Sequence, residues 1–195
     1  TQVQAQQLWN RSLSGGFSTN NNLSTPIAVN TIGGAAPEIL APAGDRLFYL
    51  NGADGAEIRN QTVDGTIVSA PTAFERAGAW IILVASTNRT TANITTVASD
   101  FIVTAFDTSL NFLWNISRAQ SYSTSLAYKS LDLQLPSPAA GNLDGAGPFD
   151  DWALVTPYEN SLAQLRIFYN GSNSFAANAT LQGLTGSAPA VVDLD

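Results

Sequence analysis

Short apolar and aromatic runs alternate along the chain with clusters of Gly, Pro, Asn, Asp and Ser. Runs of this length, rich in β-branched and aromatic residues and bounded by turn-forming residues, are typical of β-strands. No long segment has the period of an amphipathic helix, so the pattern predicts a nearly all-β protein. The clearest predicted strands are residues 46–50, 80–84, 101–106, 152–155 and 165–169.

A short proline-containing motif recurs through the chain and predicts an internal repeat. It reads STPIAV, SAPTAF, PSPAAG and SAPAVV, with its prolines at Pro26, Pro71, Pro138 and Pro189. Four strands in about 45–50 residues is the size of one β-propeller blade, a unit that cannot bury both of its faces alone. We therefore predict an all-β, β-propeller-like array of about three four-stranded blades plus the start of a fourth. A β-sandwich with coincidental proline spacing is the alternative.

The repeat also sets the expected units. They are residues 24–68, 69–135, 136–186 and a partial unit 187–195, after a polar N-terminal arm or linker over residues 1–23. The middle unit is the longest, and we expect its extra residues to form surface loops near residues 86–99 and 117–130. A closed ring needs at least about four blades. We therefore expect an incomplete array, either a piece of a larger protein or one completed by neighbouring copies.

Two segments resemble the repeat of quinoprotein-type propellers, whose outer hairpin reads roughly A-L-D-x-x-T-G-x-x-L-W. The first is YLNGADGAEIR from Tyr49 to Arg59, in which Gly55 lies where the turn needs a positive φ angle. The second is AFDTSLNFLW, one residue shorter, with Asn111 at the turn and Trp114 at the docking position of the repeat. The first copy departs from the pattern because Arg59 stands in place of the Trp.

A third segment, NLDGAGPFD, resembles the calcium loop of FG-GAP repeats in integrin-like propellers, roughly D-x-D-G-D-G-x-x-D-L. The resemblance implies Asn142, Asp144 and Asp150 as calcium ligands. Oxygen ligands at alternate positions converge only where the backbone turns sharply, which the glycines of this loop permit.

This loop lacks one expected carboxylate because Ala146 replaces an Asp, and Asn142 is neutral. We therefore expect calcium to bind weakly or not at all. The alternative is an Asx-rich β-turn held by side-chain-to-backbone hydrogen bonds. The final residues resemble the start of a second loop, with Asp193 and Asp195 at its first two ligand positions.

Charge and composition exclude several functions. The net charge is −7, only 12% of residues are charged, and no basic stripe is present, which disfavours nucleic-acid binding. The absence of Cys and His removes disulfides, thiolate zinc sites, cysteine nucleophiles and the commonest general base. No run approaches the roughly 18–20 apolar residues of a membrane span.

Half of the asparagines lie in Asn-x-Ser/Thr sequons, the acceptor pattern for N-linked glycans. Chance would give roughly three sequons in a chain with this Ser and Thr content. Accidental sequons in a Ser/Thr/Asn-rich β protein are the alternative explanation. The eight sequon asparagines are Asn10, Asn22, Asn60, Asn88, Asn93, Asn115, Asn170 and Asn178.

These features predict a non-catalytic, secreted or cell-surface glycoprotein module with a structural, adhesive or filament-forming role. We expect N-linked glycans, no organic cofactor, and partners that are other chains or copies of itself, bound through exposed strand edges. One alternative is a lectin-like propeller in which Trp9 or Tyr158 stacks on sugars. A degenerate quinoprotein-type enzyme, or a glycosidase using Asp144, Asp150 and Asp151, is a further alternative.

Overall fold

The computed structural model describes residues 9–13, 24–34, 36–91, 96–123, 137–145, 150–158, 162–181 and 189–190. Within these residues the chain forms antiparallel β-strands and no helix, which confirms the predicted all-β class. The strands assemble into three sheets of four, five and four strands, and none of the sheets closes into a barrel.

Each sheet is built from strands that follow one another in the chain. Sheet I contains β1 (Ile27–Val29), β2 (Glu38–Ala43), β3 (Arg46–Asn51) and β4 (Glu57–Thr62), in that spatial order. Sheet II contains β5 (Thr66–Ile67), β6 (Thr72–Arg76), β7 (Ala79–Thr91), β8 (Thr96–Phe106) and β9 (Phe112–Ser123). Sheet III contains β10 (Ala139–Gly141), β11 (Asp151–Tyr158), β12 (Leu162–Phe168) and β13 (Phe175–Leu181), again in order.

Sheet II is buried on both faces. Its central strand β7 places Ile82 and Val84 in one apolar cluster with Tyr49 of sheet I. Because side chains alternate along a strand, Leu83 lies on the opposite face, in a second cluster with Trp152 of sheet III. Burial on both faces explains why residues 77–85 form a continuous apolar run rather than an alternating one.

The last hairpin of every sheet has the same register irregularity. The pairing shifts at Tyr49/Leu50 in sheet I, at Ala105/Phe106 in sheet II and at Ile167/Phe168 in sheet III. The residues paired just before each shift are therefore equivalent. These pairs are Tyr49 with Arg59, Ala105 with Trp114, and Ile167 with Ala177. The two hairpins chosen from the sequence thus share their geometry with a third, which the sequence analysis missed.

Two of these equivalent residues reach the next sheet. The Trp114 ring stacks on Trp152 of sheet III, with centroids 5.8 Å apart and planes inclined by 22°. In sheet I, the Nη1 of Arg59 donates to the carbonyl oxygen of Ser109 in the β8–β9 turn, at 3.4 Å. Arg59 therefore contacts the following sheet from the position that Trp114 occupies in its own sheet.

The structure corrects two details of the sequence analysis. Sheet II has five strands rather than four, because β5 and β6 both pair with β7. Residues 86–91, 96–99 and 117–123, expected in loops, instead extend β7, β8 and β9. Asn111 lies in the β8–β9 turn as predicted, and the residue with positive φ in that turn is Leu110. The side chain of Leu110 is buried in the core between sheets I and II.

Residues 9–13, within the predicted N-terminal arm, lie against the outer face of sheet I. Trp9 and Leu13 pack on a cluster that includes Phe48, and the Trp9 indole donates to the Gly52 carbonyl at 2.9 Å. Gly55 has a φ of 71°, as predicted, and a Cβ there would lie 2.6 Å from the Trp9 ring. Glycine is therefore required both by the turn and by the segment packed on it.

Candidate functional site

The predicted calcium loop connects β10 to β11, at one end of sheet III. Gly145 has a φ of 70°, which gives the sharp turn expected of a glycine in such a loop. Asp144 is exposed, Asn142 is half-buried and Asp150 is buried. Residues 146–149 lie outside the described residues, as do Asp193 and Asp195 of the second predicted loop.

The residue that organises this loop is Asp151, which the sequence analysis did not include among the ligands. Its carboxylate is buried and accepts backbone N–H groups from both sides. One oxygen accepts from Leu143 at 2.7 Å and from Asp144 at 3.1 Å, and the other accepts from Asn170 at 2.9 Å. Asp151 therefore joins the loop before β11 to the β12–β13 turn. These are the side-chain-to-backbone hydrogen bonds expected of an Asx-rich turn.

Asp150 lies where sheet III meets sheet II. One carboxylate oxygen is 4.0 Å from the Nε of Arg76, at the end of β6. Its backbone carbonyl accepts a hydrogen bond from the Gly171 N–H. A Cβ at Gly171 would lie 2.9 Å from both Arg76 Cδ and Ile81 Cδ1, so this turn packs directly on sheet II.

The β10–β11 loop offers few carboxylate ligands for a cation. In the part of the chain that the structure describes, no group of three or more acidic side chains lies close enough to hold a metal ion. The resemblance implies the carboxylates of Asp144 and Asp150 as ligands, and the neighbouring Asp151 oxygens accept three hydrogen bonds. A cation at Asp150 would also meet the Arg76 guanidinium. Calcium binding by Asn142, Asp144 and Asp150 stays a prediction, and these features favour a weak site.

The sequon asparagines share one property wherever the structure describes them, which is exposure to solvent. Asn22 and Asn93 lie outside the described residues. The other six are exposed, although most of them lie within strands of a protein with an extensive core; they are Asn10, Asn60, Asn88, Asn115, Asn170 and Asn178.

The aromatic residues considered for sugar stacking do not form a described binding surface. Trp9 is half-buried, with its indole N–H bonded to Gly52 and its ring packed over Gly55. Tyr158 lies in β11, and its side chain is outside the described part of the structure.

Tyr49 and Asp107 have shifted pKa values, and both groups belong to the fold. Burial raises the pKa of Tyr49, helped by the nearby Glu38 carboxylate and opposed by the hydrogen bond with Thr31. Burial acts to raise the pKa of Asp107, but hydrogen bonds from Asn111 and Ser109, with the charge of Arg59, lower it overall. These bonds close the β8–β9 turn, so the Asp107 carboxylate has a structural role.

No segment of the described residues forms a helix with the length and apolar character needed to cross a membrane. No protein-family model matches the chain, and no curated protein is significantly similar to it. Any proposal for its function therefore depends on its own residues and geometry.

Proposed function

We propose that this chain is a non-catalytic module of a secreted or cell-surface glycoprotein, with a structural, adhesive or filament-forming role. The observation that carries the proposal is the exposure of all six described sequon asparagines. A glycan needs an acceptor side chain that faces solvent in the folded protein. Glycans would also hydrate a surface that has few charged residues.

The proposed architecture is a propeller-like array in which sheets I, II and III are successive blades. The shared register shift in the last hairpin of each sheet supports it. Burial of sheet II between its two neighbours also supports it, because blades bury their faces against each other. The stacking of Trp114 on Trp152 agrees with the docking role that the quinoprotein-type resemblance implies.

The proposed partners are other protein chains or further copies of this one, which would bind through exposed strand edges. The strands proposed for such pairing are β1 and β10, the first strands in the order of sheets I and III. No organic cofactor forms part of the proposal. The glycosidase alternative is weakened because Asp151, one of its three carboxylates, is occupied by backbone hydrogen bonds.

Secretion of the full chain from eukaryotic cells tests the proposed class. With a signal peptide added, we expect a folded product whose electrophoretic mobility increases after treatment with a peptide N-glycosidase. The same chain made with glycosylation blocked provides the unmodified reference. A chain that is secreted and folded yet carries no N-glycan at any sequon would contradict the proposal.

Calcium should bind the β10–β11 loop with a dissociation constant of about 1 mM, in the range of weak extracellular sites. We expect Asp150→Asn to abolish the calorimetric signal, because it removes one of the two carboxylates that the resemblance implies as ligands. Arg76→Gln should tighten binding, since a competing cation near Asp150 is removed. Asp64→Asn, an exposed acidic position in a different loop, is the control. Absence of a binding signal at millimolar calcium would contradict this prediction.

A further inference from the structure

Three of the sequon asparagines occupy the same position in the three sheets. Asn60, Asn115 and Asn178 lie on β4, β9 and β13, each of which is the last strand at one edge of its sheet. Each directly follows the residue paired beside the register shift, namely Arg59, Trp114 and Ala177. The three sequon asparagines therefore occupy structurally equivalent positions, although the sequences around them differ.

The acceptor groups at these three positions are accessible. The hydroxyl residue of each sequon, two positions further along the strand, is exposed together with its asparagine; these residues are Thr62, Ser117 and Thr180. Asn60 Nδ2 donates to Glu57 Oε1 at 2.6 Å. An amide nitrogen carries two hydrogens, so a glycosylated Asn60 keeps one for this bond.

Exposed apolar side chains lie beside two of these asparagines. The register shift leaves one unpaired residue, which is Ile58 in β4 and Leu113 in β9. Ile58 is 38% exposed and Leu113 is 43% exposed, and Phe112 beside Leu113 is 59% exposed. Two residues along a strand span about 7 Å, so both unpaired residues are within reach of a first sugar on Asn60 or Asn115. In sheet III the unpaired residue is Ala176, which is also exposed.

We propose that Asn60, Asn115 and Asn178 carry N-linked glycans that cover the outer edge strand of each sheet. The first sugar rests on Ile58 in sheet I and on Leu113 in sheet II. Edge strands present unpaired N–H and C=O groups that invite another strand, and a glycan on the fourth residue of the strand blocks that approach. This inference rests on the proposed function. If the glycans block β4, β9 and β13, partner chains must pair with other strand edges.

The modification needs a sugar donor of a defined class, an oligosaccharide carried on a lipid pyrophosphate. The asparagine Nδ2 bonds to the anomeric carbon of the sugar while the carbon–oxygen bond to the pyrophosphate breaks. The amide gives up one proton, and the lipid pyrophosphate leaves.

Site occupancy is the first test. The full chain, secreted from eukaryotic cells, is treated with peptide N-glycosidase in heavy-oxygen water, which converts each glycosylated asparagine to labelled aspartate. We expect label at Asn60, Asn115 and Asn178 in peptide mass spectra. Bare asparagines at these positions, with label at Asn10, Asn88 or Asn170, would overturn this inference and leave the proposed function standing. A chain with no label anywhere would overturn both.

Self-association is the second test. The triple variant T62A/S117A/T180A loses the three sequons and keeps its asparagines, and we expect its light-scattering profile to shift toward dimers and larger species. The variant N10Q/N88Q, which loses two other sequons, is the matched control and should keep the profile of the parent. A triple variant with an unchanged profile would overturn the edge-covering role.

The contact between the first sugar and Leu113 is the third test. Leu113→Ser should lower the melting temperature of the glycosylated chain more than that of the unglycosylated chain, and equal shifts would overturn the sugar contact.

Discussion

Replacing Trp152 by alanine should lower the free energy of unfolding by about 3–5 kcal/mol, the usual cost of deleting a buried large aromatic side chain. The Trp152 side chain is fully buried. Its ring lies 3.9 Å from that of Phe168, nearly parallel to it, and also stacks on Trp114 of sheet II. Its indole N–H donates to the Ser172 carbonyl at 3.0 Å. The substitution therefore weakens sheet III and its interface with sheet II together, and urea unfolding measures the loss.

Two further variants separate these contributions. Trp152→Phe keeps an aromatic ring in the stack and should cost less than the alanine variant. A double-mutant cycle of Trp114→Ala and Trp152→Ala should give a coupling of about 0.5–1.5 kcal/mol, as expected for an aromatic pair. A loss below about 1 kcal/mol for Trp152→Ala would show that the stack does not hold the two sheets together.

The strands could be predicted from the sequence because they contain short apolar runs that polar clusters interrupt clearly. In sheet II these runs are continuous, because that sheet is buried on both faces. Four of the five clearest predicted segments lie wholly within observed strands, and the fifth passes the end of β12 by one residue, Tyr169. The Ser- and Thr-rich ends of β7, β8 and β9 were missed because their composition is equally typical of loops.

The third hairpin was not predicted from the sequence because it shares the strand register of the first two hairpins but not their residues. Its connection, residues 169–174, is one residue longer than those of the first two hairpins. It has two residues with positive φ, Asn170 and Gly171, where the first two have one each, Gly55 and Leu110. Its equivalent of Trp114 is Ala177, so the Trp that marks the repeat is absent. A sequence motif depends on the identity of side chains, whereas the similarity of the three hairpins lies in their strand pairing.

The candidate site was predictable only in part. Sequons are local patterns, so all eight were found from the sequence, but their exposure and the equivalence of Asn60, Asn115 and Asn178 depend on strand order. The role of Asp151 was not predictable from spacing. Its hydrogen-bond donors come from two connections that are distant in sequence and meet at one end of sheet III, the loop before β11 and the turn at Asn170.

Replacing Asp151 by alanine should destabilise the protein by about 3–5 kcal/mol, because a buried acceptor that satisfies several donors is lost. The side chain is only 1% exposed. Without it, the N–H groups of Leu143, Asp144 and Asn170 lose their carboxylate partner, and the β10–β11 loop is no longer tied to the β12–β13 turn. Urea unfolding in the presence of a chelator measures this loss independently of any calcium effect.

Two matched variants identify the cause of that loss. Asp151→Asn keeps the shape and one acceptor oxygen, but its NH2 group then faces N–H donors, so its cost should be intermediate. Asp144→Ala removes an exposed carboxylate from the same loop and should cost about 1 kcal/mol or less. If Asp144→Ala destabilised the chelated protein as much as Asp151→Ala, the loop would depend on its acidic charge rather than on the buried carboxylate. Because the Asp151 bonds hold Asn170 at the tip of its turn, Asp151→Ala should also speed protease cleavage within that turn.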